Sequence, residues 1–219
     1  MITFQLMLSP YSRTAHLVSA RLSATALATL ALILTRPADA CAQHDMSAMG
    51  GHHPIVIPAG AGYTRADVEF MQGMIAHHGQ AIYMSRLAKG HQADPRLQKL
   101  AVKIDQSQVA EIRIMQDWLS QRGQFVPDTA AWRTMTMPGM LTAAQLDSLN
   151  AGTGTAFDRA YLRFMIQHHE GALQMVRDLF ATSNAGQEVD VNVFANDVVA
   201  VQTAEIGALQ RMLAQLPTE

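Results

Sequence analysis

Apolar residues recur at helical spacing along most of the chain between residues 63 and 217. On a helix each residue advances about 100°, so apolar side chains three and four positions apart share one face. Segments 64–89, 94–122, 155–182 and 191–216 all have this spacing. No segment alternates apolar and polar residues as a half-buried strand would. The pattern therefore predicts an all-α domain with four long helices.

Capping residues mark several of the predicted helix starts. Thr64 and Asp67 have the spacing of a capping box, with Asp in the place of the usual Glu. Thr155 and Asp158 repeat this pair and predict the same kind of start for the third long helix. In the connector between the second and third long helices, a short helix is predicted over 143–150.

The chain contains a duplicated helix–loop–helix unit. The two copies lie 91 positions apart, the difference between Asp67 and Asp158. The matched pairs are Thr64/Thr155, Phe70/Tyr161, Met74/Met165, Ile75/Ile166, His77/His168, His78/His169, Ala81/Ala172 and Met84/Met175. Further along, Gln108, Glu111 and Ile112 match Gln202, Glu205 and Ile206. Two helix hairpins joined by a long crossover predict a four-helix bundle.

Composition adds chemistry to this predicted bundle. The 219 residues include 14 Met, 9 His and a single Cys, and the formal net charge is −2. One Cys excludes a disulfide framework and a multi-Cys zinc site. The slightly negative charge argues against a dedicated nucleic-acid binder. Because Met is an ordinary gap-filler of helical cores, the positions of Met and His matter more than their number.

Two pairs of adjacent histidines lie on the inward faces of the first and third helices. With Met74 at the centre of the apolar stripe, His77 and His78 lie about 60° and 40° to either side of it. The second copy repeats this geometry around Met165. The predicted metal ligands are Met74, His77, His78, Met84, Met165, His168, His169 and Met175. Thioether and imidazole together suit copper, copper(I) in particular, with silver or zinc as alternatives.

Glu111 and Glu205 lie on the apolar stripes of the second and fourth helices. A buried Glu needs a partner, so we interpret both as acceptors for imidazole N–H groups that orient the histidines. An Arg pair or a tilted, exposed helix face would explain them equally well. Gln108 and Gln202, one turn earlier, are predicted to lie beside the same histidines and to support them rather than to bind the metal.

Residues 1–40 have the pattern of a secretory signal peptide. Basic residues precede an apolar run, 22–34, which is too short to span a bilayer and is followed by an Ala-x-Ala site ending at Ala40. We expect a periplasmic or secreted protein without a membrane span. Cleavage there would leave Cys41 at the new terminus, and lipid anchoring through this residue is the less favoured alternative.

Residues 41–62 are predicted to form a flexible arm before the bundle domain, which spans 63–217. The arm carries His44, Met46, Met49, His52 and His53. A Gly-containing, aperiodic segment of this composition fits a metal-collecting arm, with an ordinary linker as the alternative. In the crossover, Met135, Met137 and Met140 form another group. They fit either a copper(I) thioether patch or a loop packed on the bundle.

The duplicated motif resembles a known family. Residues 67–84 read Asp-x-x-Phe-x-x-x-Met-Ile-x-His-His-x-x-Ala-x-x-Met, and 158–175 repeat this pattern with Tyr in place of Phe. With Gly139-Met140-Leu141-Thr142, they resemble the family catalogued as domain of unknown function 305, over about residues 63–216. The resemblance implies a ferritin-like four-helix bundle and export, and it implies metal handling because the family includes periplasmic copper-binding proteins linked to copper resistance. Gly79 stands where the second copy has Glu170, so the two halves are not equivalent sites.

The leading hypothesis is an exported copper-binding protein that sequesters the ion or passes it to a copper-accepting protein, in metal resistance or homeostasis. Homodimer formation is an open expectation. A ferritin-like metalloenzyme such as a di-iron oxidase would need Glu-x-x-His motifs on paired helices, and the chain has none. A helical adaptor whose His pairs are structural is the third alternative.

Overall fold

The computed structural model describes residues 53–218, and over this range the chain is helical with no strand. The helices are α1 (Arg65–Leu87), α2 (Pro95–Gln121), a 3₁₀ helix (Thr129–Arg133), α3 (Ala143–Ala151), α4 (Gly154–Ala181) and α5 (Val189–Leu213). The predicted all-α fold class is therefore confirmed.

The four long helices form two hairpins that meet through one helix of each. Helix α1 packs along α2, α4 packs along α5, and α1 also contacts α4. The crossover from α2 to α4 carries the 3₁₀ helix, which lies against α1, and α3, which lies against α4. This arrangement is the predicted four-helix bundle of two hairpins with a long crossover, and it brings the matching faces of α1 and α4 together.

The start of α1 has the predicted capping box, and it also ties the two hairpins together. The Thr64 hydroxyl accepts from the Asp67 backbone N–H at 3.2 Å, and the Asp67 carboxylate accepts from the Thr64 N–H at 2.7 Å. The other oxygen of Asp67 accepts from the Gly186 N–H at 2.7 Å. Since Gly186 lies between α4 and α5, one buried carboxylate stabilises both a helix start and the contact between hairpins.

The start of α4 differs from the predicted repeat of this box. The helix begins at Gly154, and Thr153 at the N-cap makes no side-chain capping bond. Asp158 instead accepts from the backbone N–H of Asp94, at 3.1 and 3.2 Å, just before α2. The prediction was wrong because this carboxylate binds a backbone N–H of the other hairpin and does not cap the start of its own helix.

Two apolar clusters fill most of the bundle. The first joins α1, α2, α4 and α5 and includes Phe70, Ile112, Trp118 and Phe194. The second joins the same helices through Leu97, Ile104, Tyr161 and Leu209 and extends to Leu149 of α3. In α2, α4 and α5 the buried faces are largely those that the helical spacing predicts. Helix α1 is instead buried on almost all sides, because the crossover covers the side that a lone hairpin would expose.

Two sequence predictions fall largely before the described residues. The signal peptide (1–40) and Cys41, as well as His44, Met46, Met49 and His52 of the arm, lie outside residues 53–218. The described end of the predicted flexible arm contacts the bundle. Ile55 and Ile57 pack against the first apolar cluster, and the Ile55 carbonyl accepts from Arg65 at 2.8 Å. Within the described range, no helix is long and apolar enough to cross a membrane.

Candidate metal centre

The four paired histidines lie in the interior of the bundle, where α1 contacts α4. His77, His78, His168 and His169 are all fully buried, with 0% exposed surface. The rings of His77 and His168 lie side by side, with centroids 3.8 Å apart and planes tilted by 40°. The duplication therefore places one imidazole from each hairpin directly against the other, as expected if matching helix faces pack together.

Three of these histidines have their Nε2 atom bound to a fixed oxygen. Nε2 of His78 lies 2.6 Å from a carboxylate oxygen of Glu111, and Nε2 of His169 lies 2.8 Å from a carboxylate oxygen of Glu205. Nε2 of His77 lies 3.1 Å from the Pro138 carbonyl oxygen. A carbonyl oxygen and an ionised carboxylate can accept hydrogen bonds but cannot donate them. Nε2 is therefore the donor, and carries a proton, in each of these three rings.

This tautomer leaves the Nδ1 lone pairs free inside the core. Nδ1 has no hydrogen-bond partner in His77, His78 or His169, and in His168 neither ring nitrogen has one. The other buried side-chain atoms without a partner belong to Gln108, Gln202 and Glu205. Every such atom in the described chain thus lies on a residue that the sequence analysis singled out. Buried polar atoms are otherwise almost always paired, so this concentration marks the imidazole core as the part of the described structure with free ligand-binding capacity.

Burial keeps the two central imidazoles neutral. The pKa of His77 is lowered to about 3, mainly by burial and also by the neighbouring His78, while the hydrogen bond to the Pro138 carbonyl opposes the shift. Burial also lowers the pKa of His168 well below its usual value, with His77 and His169 acting in the same direction. A neutral imidazole is the form that binds a metal, so these two side chains need lose no proton to do so at neutral pH.

The four predicted methionine ligands do not form a single set. Met74 lies in the first apolar cluster, and Met84 and Met165 lie in the second. Met175 is half-buried and borders the first cluster. Met74 and Met165 each lie one helical turn before a histidine pair, on the same helix face. By helical position, these two thioethers share the helix faces that carry the imidazoles.

The buried histidines and their carboxylate partners do not form a metal site of nitrogen and oxygen ligands. Among residues 53–218, no group of three or more His, Cys, Asp or Glu side chains is arranged to hold one metal ion. One carboxylate oxygen of Glu111 already accepts a hydrogen bond from His78, and one of Glu205 accepts a hydrogen bond from His169. Any ion held here would therefore have at most two ligands from these four residue types.

Two of the four residues that we predicted to support the histidines contact them, and the other two make no such hydrogen bond. Glu111 and Glu205 make the imidazole contacts that their repeated position suggested. Gln108 and Gln202 are buried, but Gln108 makes no side-chain hydrogen bond and Gln202 has an unpartnered oxygen. Of the predicted arm ligands, His53 is described, and it stacks on Phe125 with ring centroids 3.9 Å apart, exposed to solvent.

The crossover contributes a site residue that the sequence analysis missed. Its Pro138 carbonyl holds His77, and it can approach because Gly171 of α4 has no side chain. A Cβ atom at Gly171 would overlap the Pro138 carbonyl and the Gly139 backbone, and Gly139 itself has a φ of +76°. The sequence signal was a Pro-Gly pair in the crossover and the Gly that follows His169-Glu170.

Gly79 has a packing explanation as well. A Cβ atom there would overlap the carbonyl oxygen of Thr129, because the 3₁₀ helix lies directly on α1. The absence of a Glu at this position, which we interpreted as a difference between two metal sites, therefore makes room for the crossover. The crossover docks on both hairpins, at Gly79 on one and at Gly171 on the other.

Fold and site together define a class of protein: a four-helix bundle of two duplicated hairpins with four buried imidazoles, some of whose ring nitrogens have no hydrogen-bond partner. The model of the family described as "Domain of unknown function (DUF305)" matches residues 67–213. The chain belongs to this family.

Solved structures show the same fold. A putative secreted DUF305 protein from Streptomyces coelicolor is 29% identical, with a TM-score of 0.59, over 68% of this chain and 93% of that one. A DUF305 fragment from Deinococcus radiodurans is 26% identical, with a TM-score of 0.62, over 70% and 99% of the two chains.

A third similar structure is that of a protein named CopM. In its Cu(I)-bound form CopM is 30% identical to this chain, with a TM-score of 0.53, over 67% of this chain and 94% of CopM. CopM has also been solved in Cu(II)-bound and Ag-bound forms. Among curated proteins, an uncharacterized protein, L153, of Acanthamoeba polyphaga mimivirus is 41% identical over 56 residues. That match spans 37% of the length of L153 and 26% of this chain.

Proposed function

We propose that this protein is an exported copper-binding protein that sequesters copper, or passes it on, as copper(I). The observation that carries the proposal is the set of unpartnered Nδ1 atoms in the core. In metal-binding histidines the ring nitrogen that does not bind the metal usually donates to a carboxylate or a backbone carbonyl. His77, His78 and His169 have such a partner at Nε2 and none at Nδ1.

The donor atoms favour copper(I) over harder ions. Imidazole nitrogen and thioether sulfur are neutral and soft to intermediate donors, whereas Mg²⁺ and Ca²⁺ prefer several oxygen ligands. The two carboxylates nearest the imidazoles are already engaged with them. The similarity to CopM, whose structures include Cu(I), Cu(II) and Ag forms, supports the same choice. Silver is the expected analogue and zinc the expected weaker competitor.

A di-iron oxidase fits this site less well. That chemistry uses Glu ligands with a Glu-x-x-His motif on paired helices, and the chain has no such motif. Glu111 and Glu205 hold imidazoles on neighbouring helices instead. We therefore propose binding and transfer of the ion rather than catalysis.

The proposed route outside the bundle involves the segments that precede it. Residues 1–40 would direct export to the periplasm or beyond, and the His44–His53 segment would collect metal before the bundle receives it. A copper-accepting protein would then take the ion from the buried site, and dimer formation would bring two such sites together. The role we propose is metal resistance or homeostasis.

Competition for copper(I) against a chromophoric chelator at micromolar concentration tests this function. We expect the wild-type protein to withdraw copper from the chelator, and a variant with His77, His78, His168 and His169 all replaced by Gln to lose that ability. A matched control is His91→Gln, because His91 binds the Gly152 carbonyl and stacks on Phe157, away from the four histidines. Absence of competition by the wild type would refute the proposal, and unchanged binding by the fourfold variant would move the site to the arm.

A further inference from the structure

A third apolar cluster lies where the crossover packs on the bundle, and its large members are methionines. Its buried residues are Ala76, Met135, Met137 and Met140, so every buried member larger than Ala carries a thioether. Met175 of α4 packs against the cluster, as does Trp132 of the 3₁₀ helix. Three methionines from one loop and one from a helix thus lie on the same patch of the bundle surface.

The composition of this cluster differs from that of the other two. In the first and second clusters, methionines are a minority among Leu, Ile, Val and aromatic residues, as expected of gap-filling side chains. The third cluster holds no buried Leu, Ile, Val or Phe, although any of these would fill an apolar patch on Ala76. Packing alone gives no reason for sulfur at all three loop positions.

The loop that carries these methionines is held in one conformation. The side-chain amide of Gln80 in α1 bonds both backbone groups of Leu141, with distances of 2.7 and 3.1 Å. Gln167 in α4 donates to the Gly139 carbonyl at 3.3 Å, and the Met140 N–H donates to the Met137 carbonyl at 3.1 Å. Both hairpins therefore position the loop, and a ligand that binds its side chains need not order its backbone.

The cluster lies next to the imidazole core and nearer to solvent. Pro138, between Met137 and Met140, is the residue whose carbonyl holds His77, and Ala76 precedes that histidine in α1. The loop methionines are 6–9% exposed, whereas the four histidines are 0% exposed. An ion approaching His77 along the crossover would meet the thioethers first.

We propose that Met135, Met137, Met140 and Met175 form a thioether site for a soft monovalent cation, copper(I) or Ag(I), immediately outside the imidazole core. This proposal rests on the proposed function, because it assumes that the protein binds copper. Its ligands, however, are separate from the four imidazoles. Thioethers are soft and uncharged, so they select copper(I) and Ag(I) and bind zinc or copper(II) weakly. The site would therefore admit the reduced ion and discriminate against the divalent ions.

Ag(I) titration of protein labelled with ¹³C at the Met methyl groups tests the site without changing any residue. We expect the methyl signals of Met135, Met137, Met140 and Met175 to shift on adding Ag(I), while the signal of Met115, buried between helices in the first cluster, stays in place. Zinc at the same concentration should shift none of these signals. If the loop methyl signals do not move while Ag(I) binds elsewhere, the thioether site does not exist.

A triple variant, Met135→Leu, Met137→Leu and Met140→Leu, adds a measurement of stoichiometry. Leu conserves the volume of Met, and a matched control is Met115→Leu. We expect the triple variant to bind about one Ag(I) fewer than the wild type and the control to bind the same number. Unchanged stoichiometry in the triple variant would overturn the thioether site and leave the imidazole site standing. Loss of all binding in the fourfold His variant, with the loop methyl signals unmoved, would assign the metal to the imidazoles alone.

Discussion

At the scale of single residues, the histidine core combines neutrality with fixed orientation. Burial lowers the pKa of His77 and His168, and hydrogen bonds to oxygen atoms orient His77, His78 and His169. Such a core costs free energy, because several polar atoms lack partners in the described structure. A metal bound at Nδ1 would give a partner to the ring nitrogens among these atoms, but not to the side chains of Gln108, Gln202 and Glu205.

The carboxylates that hold the imidazoles should tune metal affinity. Glu205→Gln keeps the shape of the side chain but removes the charge that faces Nε2–H of His169. We expect the copper(I) affinity to fall about 10–100-fold with the fold retained, as is typical of second-shell changes. Competition titration measures this. Glu170→Gln, next to His169 but exposed, is the control, and equal affinities in the two variants would show that Glu205 has no such role.

At the scale of elements, the bundle is assembled by contacts between helix ends and by the docked crossover. Asp67 closes the capping box of α1 and binds the Gly186 N–H in the other hairpin. Asp158 links α4 to the N-terminus of α2. The crossover, in turn, depends on close approach at Gly79 and Gly171. Each of these contacts can be removed by one substitution.

Asp67→Ala should destabilise the protein more than loss of an ordinary helix cap. It removes a capping bond, worth about 1 kcal/mol, and leaves the Gly186 N–H without its charged acceptor, which adds about 1.5–3 kcal/mol. Urea unfolding measures the difference. Thr142→Ala, at the capping box of the peripheral helix α3, is the comparison and should cost about 1 kcal/mol. Similar losses in both variants would contradict a role for Asp67 between hairpins.

Gly171→Ala should displace the crossover. The added methyl group would overlap the Pro138 carbonyl, so the free energy of unfolding should fall by about 1–3 kcal/mol despite the better helix propensity of Ala. Gly207→Ala in α5 is the matched control, because its nearest neighbour is the flexible end of Arg211 at 3.3 Å. That variant should be unchanged or more stable by up to about 1 kcal/mol. Equal stabilities of the two variants in urea would mean that the crossover does not pack as described.

At the scale of the whole molecule, the buried imidazoles make stability depend on pH. The unfolded chain protonates His77 and His168 below about pH 6.5, whereas the folded protein resists protonation because burial lowers both pKa values. The unfolded state therefore binds more protons, and stability falls as the pH is lowered from 6.5 towards the folded value of about 3 for His77. The free energy of unfolding of the metal-free protein should therefore decrease at acidic pH.

We expect the metal-free protein to lose about 2 kcal/mol of stability for each of these two histidines between neutral pH and about pH 5. The groups around them are the imidazoles of His78 and His169, with their carboxylate partners Glu111 and Glu205, and the Pro138 carbonyl. Urea unfolding at both pH values measures the loss. The double variant His77→Gln, His168→Gln should have a smaller pH dependence, and an unchanged dependence would exclude these histidines as its source.

The sequence predicted the bundle and the histidine core because both follow from repeated local patterns. Helical spacing determines which faces are buried, and the repeat puts His77 and His168 at the same phase of helices that pack together. It did not predict the Pro138 carbonyl as the partner of His77, because the Pro-Gly pair and Gly171 indicate a close backbone approach but not which backbone group the ring contacts. The role of Asp158 was missed for a related reason, because its partner lies 64 residues away in the other hairpin.

Histidine ¹⁵N spectra recorded during titration with Ag(I) or copper(I) test the central claim most directly, because they report on each ring nitrogen separately. We expect the Nδ1 signals of imidazoles in the bundle core, those of His77 and His168 above all, to shift when the metal is added. Nε2–H of His78 and His169 should persist, since Glu111 and Glu205 hold those protons. Shifts confined to the histidines of the arm, with all four core imidazoles unchanged, would contradict it.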